Sequence, residues 1–182
     1  MNIASFAISI LSALISLATF ARTAWRDHVR EVHYQANAVS TWMTGTHVDD
    51  PTLCDRKPME EVILCNRSDQ PVYDVVLSTG VQESNSPFRQ HVNSKVTDLA
   101  AITCTVVGIL PPGVFRSVVI APSLGMSKRF QSIISFRDTA GNAWIRDANG
   151  KLHSLSNNTS TFEAMGCPLP PPYVVPITAV TL

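Results

Sequence analysis

The sequence has none of the short motifs that are typical of common enzymes. It contains no Gly-x-Ser-x-Gly elbow and no phosphate-binding P-loop, and its four cysteines include no Cys-x-x-Cys pair. Ser94 and Ser123 have no evident base nearby in the sequence. A small hydrolase with a dispersed site stays an alternative, but the motifs predict no catalytic residue, no cofactor and no metal site. We therefore expect a protein that is not an enzyme.

Charge is also scarce and balanced. Of the 182 residues, 14 are basic and 14 are acidic. The basic residues form no run apart from a spaced group that follows residue 21, and no acidic tail is present. Because nucleic-acid-binding proteins carry basic patches, this composition predicts no nucleic-acid partner.

Residues 3–21 contain no charge, no proline and no glycine. As a helix these 19 residues would span about 28 Å, the hydrocarbon thickness of a bilayer. We interpret residues 1–21 as a transmembrane signal-anchor, with the lipid bilayer as partner of residues 3–21. A cleaved signal peptide is the first alternative, because Thr19-Phe20-Ala21 resembles a weak cleavage site. A buried helix is the second, although no face of residues 3–21 is clearly polar.

The residues after this segment predict its orientation. Positive charges are retained on the cytoplasmic side of a membrane, and an aromatic side chain at the interface anchors a helix end. We therefore expect a single-pass protein of the cell membrane, with its body in the cytoplasm. The predicted interface anchors are Arg22, Trp25, Arg26 and Arg30.

Hydroxyl residues recur along the same segment with a period of about 3.5 residues, which places them in one stripe on a helix. Such a stripe favours close helix packing in a membrane, as a dimer or small bundle. The alternative is that each hydroxyl bonds a carbonyl of its own helix, four residues earlier. The candidate helix-association stripe consists of Ser5, Ser9, Ser12, Ser16 and Thr19, and Thr23 continues its spacing.

Residues 22–38 are predicted to extend the helix with an amphipathic pattern. Apolar side chains recur at steps of three and four residues, and charged residues lie between them. This face either packs on the body or pairs with a second copy as a short coiled coil. The apolar positions are Trp25, Val29, Val32, Ala36 and Val39.

Residues 39–155 are predicted to be mainly β. Short apolar runs alternate with turn residues, and this spacing is typical of an immunoglobulin-like antiparallel β-sandwich. Residues 82–95 are polar and are predicted to form a loop, whereas residues 156–182 are proline-rich and predicted to form an extended C-terminal tail. Within that tail, residues 174–182 are apolar enough to dock as a late strand. The predicted strands after the first are 60–66, 72–81, 102–110, 114–121, 130–136, 142–146 and 151–155.

The redox state of the four cysteines depends on which side of the membrane the body occupies. In an exported domain they could form two disulfides in three connectivities, and in the cytoplasm they would be reduced thiols. Two of them lie in predicted strands. The cysteines are Cys54, Cys65, Cys104 and Cys167.

Turn and strand motifs of the body resemble those of a group of uncharacterised, membrane-anchored proteins frequent in actinobacteria. The resemblance covers about residues 3–155 and implies a short N-terminal span before a small β-sandwich. The group has no assigned activity, so no functional residue is carried over. The motifs are Asn66-x-Ser68-x-x-Pro71-Val72-Tyr73-Asp74-Val75, Leu110-Pro111-Pro112-Gly113 and Phe136-x-Asp138-x-x-Gly141-x-x-Trp144-x-Arg146-Asp147-x-x-Gly150-x-Leu152.

Polar residues concentrate on the predicted 130–155 meander and allow two interpretations. Asp138, Trp144, Arg146 and Asp147 could form a recognition patch. Alternatively they could serve the fold, with Trp144 in the core or covering its edge and Arg146 paired across strands with an acid. We favour the structural interpretation. The sequence therefore predicts a membrane-anchored, non-catalytic module that binds a protein partner or self-associates. The alternative is an exported, disulfide-bonded envelope domain that binds surface ligands.

Overall fold

The computed structural model describes residues 3–50, 52–55, 57–83, 103–121, 128–156 and 159–180. They belong to two compact units, Met1–Tyr34 and Gln35–Leu182. The predicted loop at 82–95 lies outside the described residues from position 84 onward, and so do Ser94 and Ser123. The fold below is that of the described residues.

Helix α1 (Ile3–Asn37) is continuous over both segments that we predicted to be helical. It contains no proline or glycine, the residues that most disfavour a helix interior. After Asn37 the chain turns, with Ala38 N donating to Gln35 O at 3.1 Å, and enters the first strand. Among the described residues, no helix combines the length and the apolar character required to cross a membrane.

The second unit is built from two antiparallel sheets, which confirms the prediction of a mainly β body with sandwich-like architecture. The first sheet has the order β1-β2-β5-β9, and the second has the order β4-β3-β6-β7-β8. The strands are β1 (Val39–Val48), β2 (Met59–Asn66), β3 (Val72–Glu83), β4 (Thr105–Leu110), β5 (Gly113–Ile120), β6 (Lys128–Arg137), β7 (Ala143–Arg146), β8 (Leu152–Ser154) and β9 (Thr178–Ala179).

Large apolar side chains of both sheets form the core. Leu64 of β2 and Leu77 of β3 are fully buried, and so are Phe136 of β6 and Trp144 of β7. The burial of Trp144 confirms the prediction that this side chain fills the core. Burial of side chains of this size stabilises the fold by about 1.5–3 kcal/mol each.

The β2–β3 turn shows how a polar side chain fixes a connection. Asn66 is buried, and its Nδ2 donates to Gln70 O at 2.9 Å and to Leu110 O at 3.1 Å. Its Oδ1 accepts from the backbone N–H and the hydroxyl of Ser68, at 3.1 and 2.6 Å. Asparagine and serine are favoured in turns because they satisfy nearby backbone groups in this way.

Residues 159–180, which we call the C-terminal strap, belong to the compact unit of the sheets. They begin with a short helix, α2 (Thr161–Ala164), whose N-cap Ser160 accepts from Glu163 N. Val174 then forms a parallel bridge with Val106 of β4, and β9 pairs with β5. The late strand that we predicted within residues 174–182 is present as β9. The strap provides backbone partners for strands that would otherwise be open sheet edges.

Candidate functional site

The described part of α1 presents large apolar side chains to its surroundings. Between residues 10 and 26, seven of them have exposed fractions between 47% and 72%. At about 100° per residue they lie on all sides of the helix except one arc, which Ser12, Ser16, Thr19 and Thr23 occupy. A helix with this surface requires an apolar environment or partner. The seven residues are Ile10, Leu11, Leu14, Ile15, Leu17, Phe20 and Trp25.

Three hydroxyls of the stripe bond within their own helix. Ser16 Oγ donates to Ser12 O at 2.9 Å, Thr19 Oγ1 to Ile15 O at 2.8 Å, and Thr23 Oγ1 to Thr19 O at 3.0 Å. These bonds have the geometry of the second interpretation of the stripe, in which each hydroxyl bonds a carbonyl of its own helix four residues earlier. The oxygens can still accept a hydrogen bond from a second helix, because a hydroxyl has two lone pairs. The side chains of Ser5 and Ser9 lie outside the described set.

The candidate interface anchors lie one after another on the same helix. Arg22, Trp25 and Arg26 are exposed. The side chain of Arg30 is outside the described set. The three described anchors follow the apolar segment, so the helix passes from an apolar surface to one that carries two guanidinium groups and an indole.

The β6–β7–β8 meander contains the same turn twice, nine residues apart. The pattern Arg-Asp-x-x-Gly begins at Arg137 and again at Arg146. In both turns the glycine N–H donates to the aspartate carbonyl, at 3.1 and 2.9 Å. In both, the arginine Nη1 donates to the glycine carbonyl, at 2.8 and 2.7 Å. Gly141 and Gly150 have positive φ values of 88° and 79°, which glycine adopts without steric cost.

The aspartate carboxylates of the two turns accept equivalent sets of hydrogen bonds. Asp138 accepts from Asn142 N at 2.8 Å, and its Oδ2 accepts from the indole N–H of Trp144, also at 2.8 Å. Asp147 accepts from Lys151 N at 2.9 Å, and its Oδ2 lies 3.1 Å from His153 Nε2. In both cases the ring belongs to the sixth residue after the aspartate. The carboxylates thus build turns, which supports the structural interpretation of the polar cluster.

Among the described residues, Arg146 bonds backbone carbonyls and not the acid that we predicted. Its Nε donates to Val39 O at 2.8 Å and its Nη2 to Ala36 O at 3.1 Å. Carbonyls at the end of a helix have no partner within it, so an arginine is a favourable donor there. Burial lowers the pKa of Arg146, and the nearby charge of Asp147 opposes that shift.

Gln35 provides a second attachment of the same segment within the sheet unit. Its Oε1 accepts from the backbone N–H of Thr139 at 3.0 Å and from the Thr139 hydroxyl at 2.9 Å. Its Nε2 donates to Pro71 O at 3.0 Å. No local pattern in the sequence predicts this role, because the glutamine and its partners are far apart in the chain.

The cysteines are four buried thiols. The sulfur atoms of Cys104 and Cys167 are 2.7 Å apart. Burial is the largest cause that raises the pKa of Cys104, to about 12, and it also raises the pKa of Cys167. Of the three disulfide connectivities, the contact favours the one that joins Cys104 to Cys167.

Within the described ranges, no three His, Cys, Asp or Glu side chains come together in a way that could hold a metal ion. The chain has no significant match among protein-family profiles, curated proteins or solved structures. The resemblance to actinobacterial membrane-anchored proteins therefore stays a prediction.

Proposed function

We propose that this chain is a single-pass, membrane-anchored, non-catalytic interaction module. Residues 3–21 lie in the bilayer, and the two-sheet body faces the cytoplasm. The described side chains of α1 begin at Ile10, so the finding on membrane spans does not include residues 3–9, which enter this proposal from the sequence. The observation that carries the proposal is the surface of α1, where the described large apolar side chains are exposed on nearly all sides.

Lipid explains this surface better than a single protein partner does. One packed helix covers one side of its neighbour, whereas the exposed side chains of residues 10–26 leave only the hydroxyl arc of that segment free of large apolar groups. Transfer of seven such side chains from water to an apolar medium is worth on the order of 10–20 kcal/mol. The hydroxyls do not oppose the transfer, because Ser16, Thr19 and Thr23 satisfy their donors within the helix.

The body is proposed to be an immunoglobulin-like sandwich. The strand orders β1-β2-β5 and β4-β3-β6-β7 match the A-B-E and C′-C-F-G orders of that architecture. β9 pairs with β5 at the position that strand D takes in constant-type domains. Sandwiches of this kind commonly serve at cell surfaces and in recognition, so the architecture agrees with an interaction module.

The lack of a catalytic role is inferred from how the polar groups are used. Asp138 and Asp147 are bonded within their own turns, and the Arg137 Nε pairs with Asp74 Oδ2 at 3.1 Å. Each of these carboxylates has a structural hydrogen-bond donor. A partner protein, or a second copy bound through the hydroxyl stripe, remains the proposed ligand class.

The test uses the full chain with a C-terminal epitope tag, expressed in bacterial cells. An integral protein stays in the membrane pellet after alkaline carbonate extraction, and a cytoplasmic body keeps its tag when intact spheroplasts are treated with protease. The tag should disappear only after the membrane is permeabilised. Release by carbonate would refute the anchor, and loss of the tag from intact spheroplasts would refute the cytoplasmic body.

A second candidate function is an exported, disulfide-bonded envelope domain. The 2.7 Å contact between Cys104 and Cys167 favours it, because disulfides persist in oxidising compartments. The protease experiment separates the two candidates, since only an exported body is cut on intact spheroplasts.

A further inference from the structure

The sulfur contact lies where the C-terminal strap meets the second sheet. Cys104 immediately precedes β4, and Cys167 follows α2 in the strap. Both thiols belong to one apolar cluster with Val76, Ile133 and Met165, and both side chains are buried. The contact therefore joins two parts of the chain that are 63 residues apart in sequence.

We infer that Cys104 and Cys167 are an oxidisable pair that closes into a disulfide by exchange with a small-molecule disulfide, such as oxidised glutathione, and thereby locks the C-terminal strap onto the second sheet. The inference concerns the thiols alone and does not depend on the membrane anchor.

The other two cysteines have different surroundings. Cys54 packs with Met59 and Val118 in a separate apolar cluster, and Cys65 is in register with Ser40 and Val114 in the first sheet. Among the described residues, Cys104 and Cys167 are the cysteines whose sulfur atoms are in contact. Their separation is about 0.6–0.7 Å more than that of a covalent S–S bond, so small side-chain rotations bring them to bonding distance.

The reaction balances as two thiol–disulfide exchanges. The thiolate of one cysteine attacks the small-molecule disulfide, forms a mixed disulfide and releases one small thiol. The second cysteine then attacks the protein sulfur of the mixed disulfide and releases the second small thiol. The two cysteines lose two electrons and two protons, and the small-molecule disulfide gains both.

Burial makes this reaction slow in the folded, reduced protein. Exchange requires a thiolate, and the pKa of Cys104 is raised to about 12. The strap is held to the sheets by short elements: Val106 N donates to Tyr173 O at 2.9 Å, Val175 N to Val106 O at 2.9 Å, and β9 has two residues. Such elements open more easily than a central strand, so strap opening is the step that exposes the pair.

The disulfide would have a large effect on the unfolded chain, because it closes a long loop. Restricting the unfolded state raises stability more for longer loops. For a chain of this size the thermal midpoint should rise by about 5–15 °C. The same bond would hold the strap against β4 and keep that sheet edge covered.

The experiment uses the full chain, purified in detergent and reduced, then incubated with oxidised glutathione. Remaining thiols are alkylated, and cross-linked peptides are identified by mass spectrometry without reduction. We expect one intramolecular cross-link, Cys104–Cys167, with Cys54 and Cys65 alkylated. A urea concentration below the unfolding transition should accelerate the reaction about tenfold or more, because it populates the opened strap.

The thermal midpoint is measured before and after oxidation in matched variants. Cys54→Ser and Cys65→Ser should keep the increase, whereas Cys104→Ser and Cys167→Ser should abolish it. A cross-link that involves Cys54 or Cys65, or four free thiols after oxidation under mild urea, would overturn the inference. The peptide map of the unmutated chain decides the pairing even if a serine variant does not fold. A correct cross-link with an unchanged midpoint would refute the locking of the strap.

Discussion

Helix α1 and the two-sheet body handle the same residue types in opposite ways. The large apolar side chains that the structure describes in α1 are exposed, whereas in the body Trp144, Phe136 and Leu77 are buried. The hydroxyls differ as well. Ser16 and Thr19 bond within one helix, but Thr79 of the body donates to Ile120 O, 41 residues away, and Ser117 to Pro176 O, 59 residues away.

The difference indicates what each region requires from its environment. In the body, hydroxyls such as those of Thr79 and Ser117 join elements that are distant in sequence, so these contacts stabilise the body from within. The described part of α1 satisfies its hydroxyls locally and buries none of its large apolar groups, so its stable state depends on what surrounds it. This asymmetry is the physical basis for proposing an anchor and a separate module.

The largest effect is expected from charges placed in α1. The double variant Leu11→Arg, Leu14→Arg should weaken membrane insertion by about 6–8 kcal/mol, because each arginine near the centre of a span costs about 2.5–3.5 kcal/mol and each leucine favours insertion. Carbonate extraction should move the variant from pellet to supernatant. The matched control is Leu169→Arg, Val174→Arg, which changes exposed apolar residues of the body and should leave membrane retention unchanged. If both variants stay in the membrane pellet to the same extent, the proposal that α1 and not the body inserts into the membrane is wrong.

The second largest effect is expected from removing an aromatic side chain from the core of the body, which should lower the stability of the body. Trp144→Ala is expected to lower the free energy of unfolding by about 3–5 kcal/mol, because it leaves a cavity and removes the donor to Asp138. Chemical denaturation followed by circular dichroism measures the change. Trp42→Ala is the control, since Trp42 is 47% exposed, and its cost should stay below about 1 kcal/mol. Similar losses in both variants would show that Trp144 is not a core residue.

The sequence predicted local features of the body well, because their causes are local. The turn at Asn142 and the strand after it follow from Asp138 and Gly141, and β7 was placed within one residue of its observed start at Ala143. The repeated Arg-Asp-x-x-Gly pattern was also visible in the sequence. Its spacing of nine residues, with a ring six residues after each aspartate, was the signal that could have identified the two equivalent turns.

Long-range contacts could not be predicted in this way. The acceptors of the Arg146 Nε and Nη2 groups are backbone carbonyls more than 100 residues earlier, and a backbone carbonyl has no side-chain signal. The bridge between Val106 and Val174 has the same character. The composition of the strap predicted an extended, proline-rich chain with a late strand within residues 174–182, but not which strands its backbone would pair with.

Replacing Arg146 should have an intermediate effect. Arg146→Lys keeps the charge but loses the planar fork that reaches Val39 O and Ala36 O, so we expect unfolding to become easier by about 1.5–3 kcal/mol. Arg116→Lys is the matched control. Arg116 is exposed and its contact is an ion pair with Glu61 at 3.2 Å, so its loss should be within about 1 kcal/mol. Equal costs, measured by denaturation, would mean that the carbonyl contacts contribute no more than a surface ion pair.

High pH should weaken the reduced body by a smaller amount. The folded state raises the pKa of Cys104 from 9.0 to about 12, so the folded protein keeps a proton that the unfolded chain loses. The protonated Cys104 thiol therefore contributes its full share of the free energy of unfolding below pH 9. This contribution falls as the pH rises toward 12, and at pH 10 it has fallen by less than about 1.4 kcal/mol. Unfolding of the reduced protein at pH 8 and pH 10 measures the change. The double variant Cys104→Ser, Cys167→Ser should show a smaller decrease, and an equal decrease would assign the effect to other groups.

The smallest effect concerns the hydroxyl stripe, which occupies the arc of residues 10–26 that has no large apolar group. If the stripe mediates self-association, Ser16→Ala should weaken the dimer about threefold, since membrane hydrogen bonds average about 0.6 kcal/mol. Its control is Ala18→Ser, which adds a hydroxyl on the opposite side of the helix and should have no effect. A membrane two-hybrid assay reports the association. Because Ser16 already donates to Ser12 O, a null result for Ser16→Ala must be checked with the triple variant Ser9→Leu, Ser12→Leu, Ser16→Leu. If the triple variant associates as strongly as the unmutated chain, the hydroxyls bond only within their own helix. The stripe would then differ from the hydroxyls of the body, which join neighbouring elements.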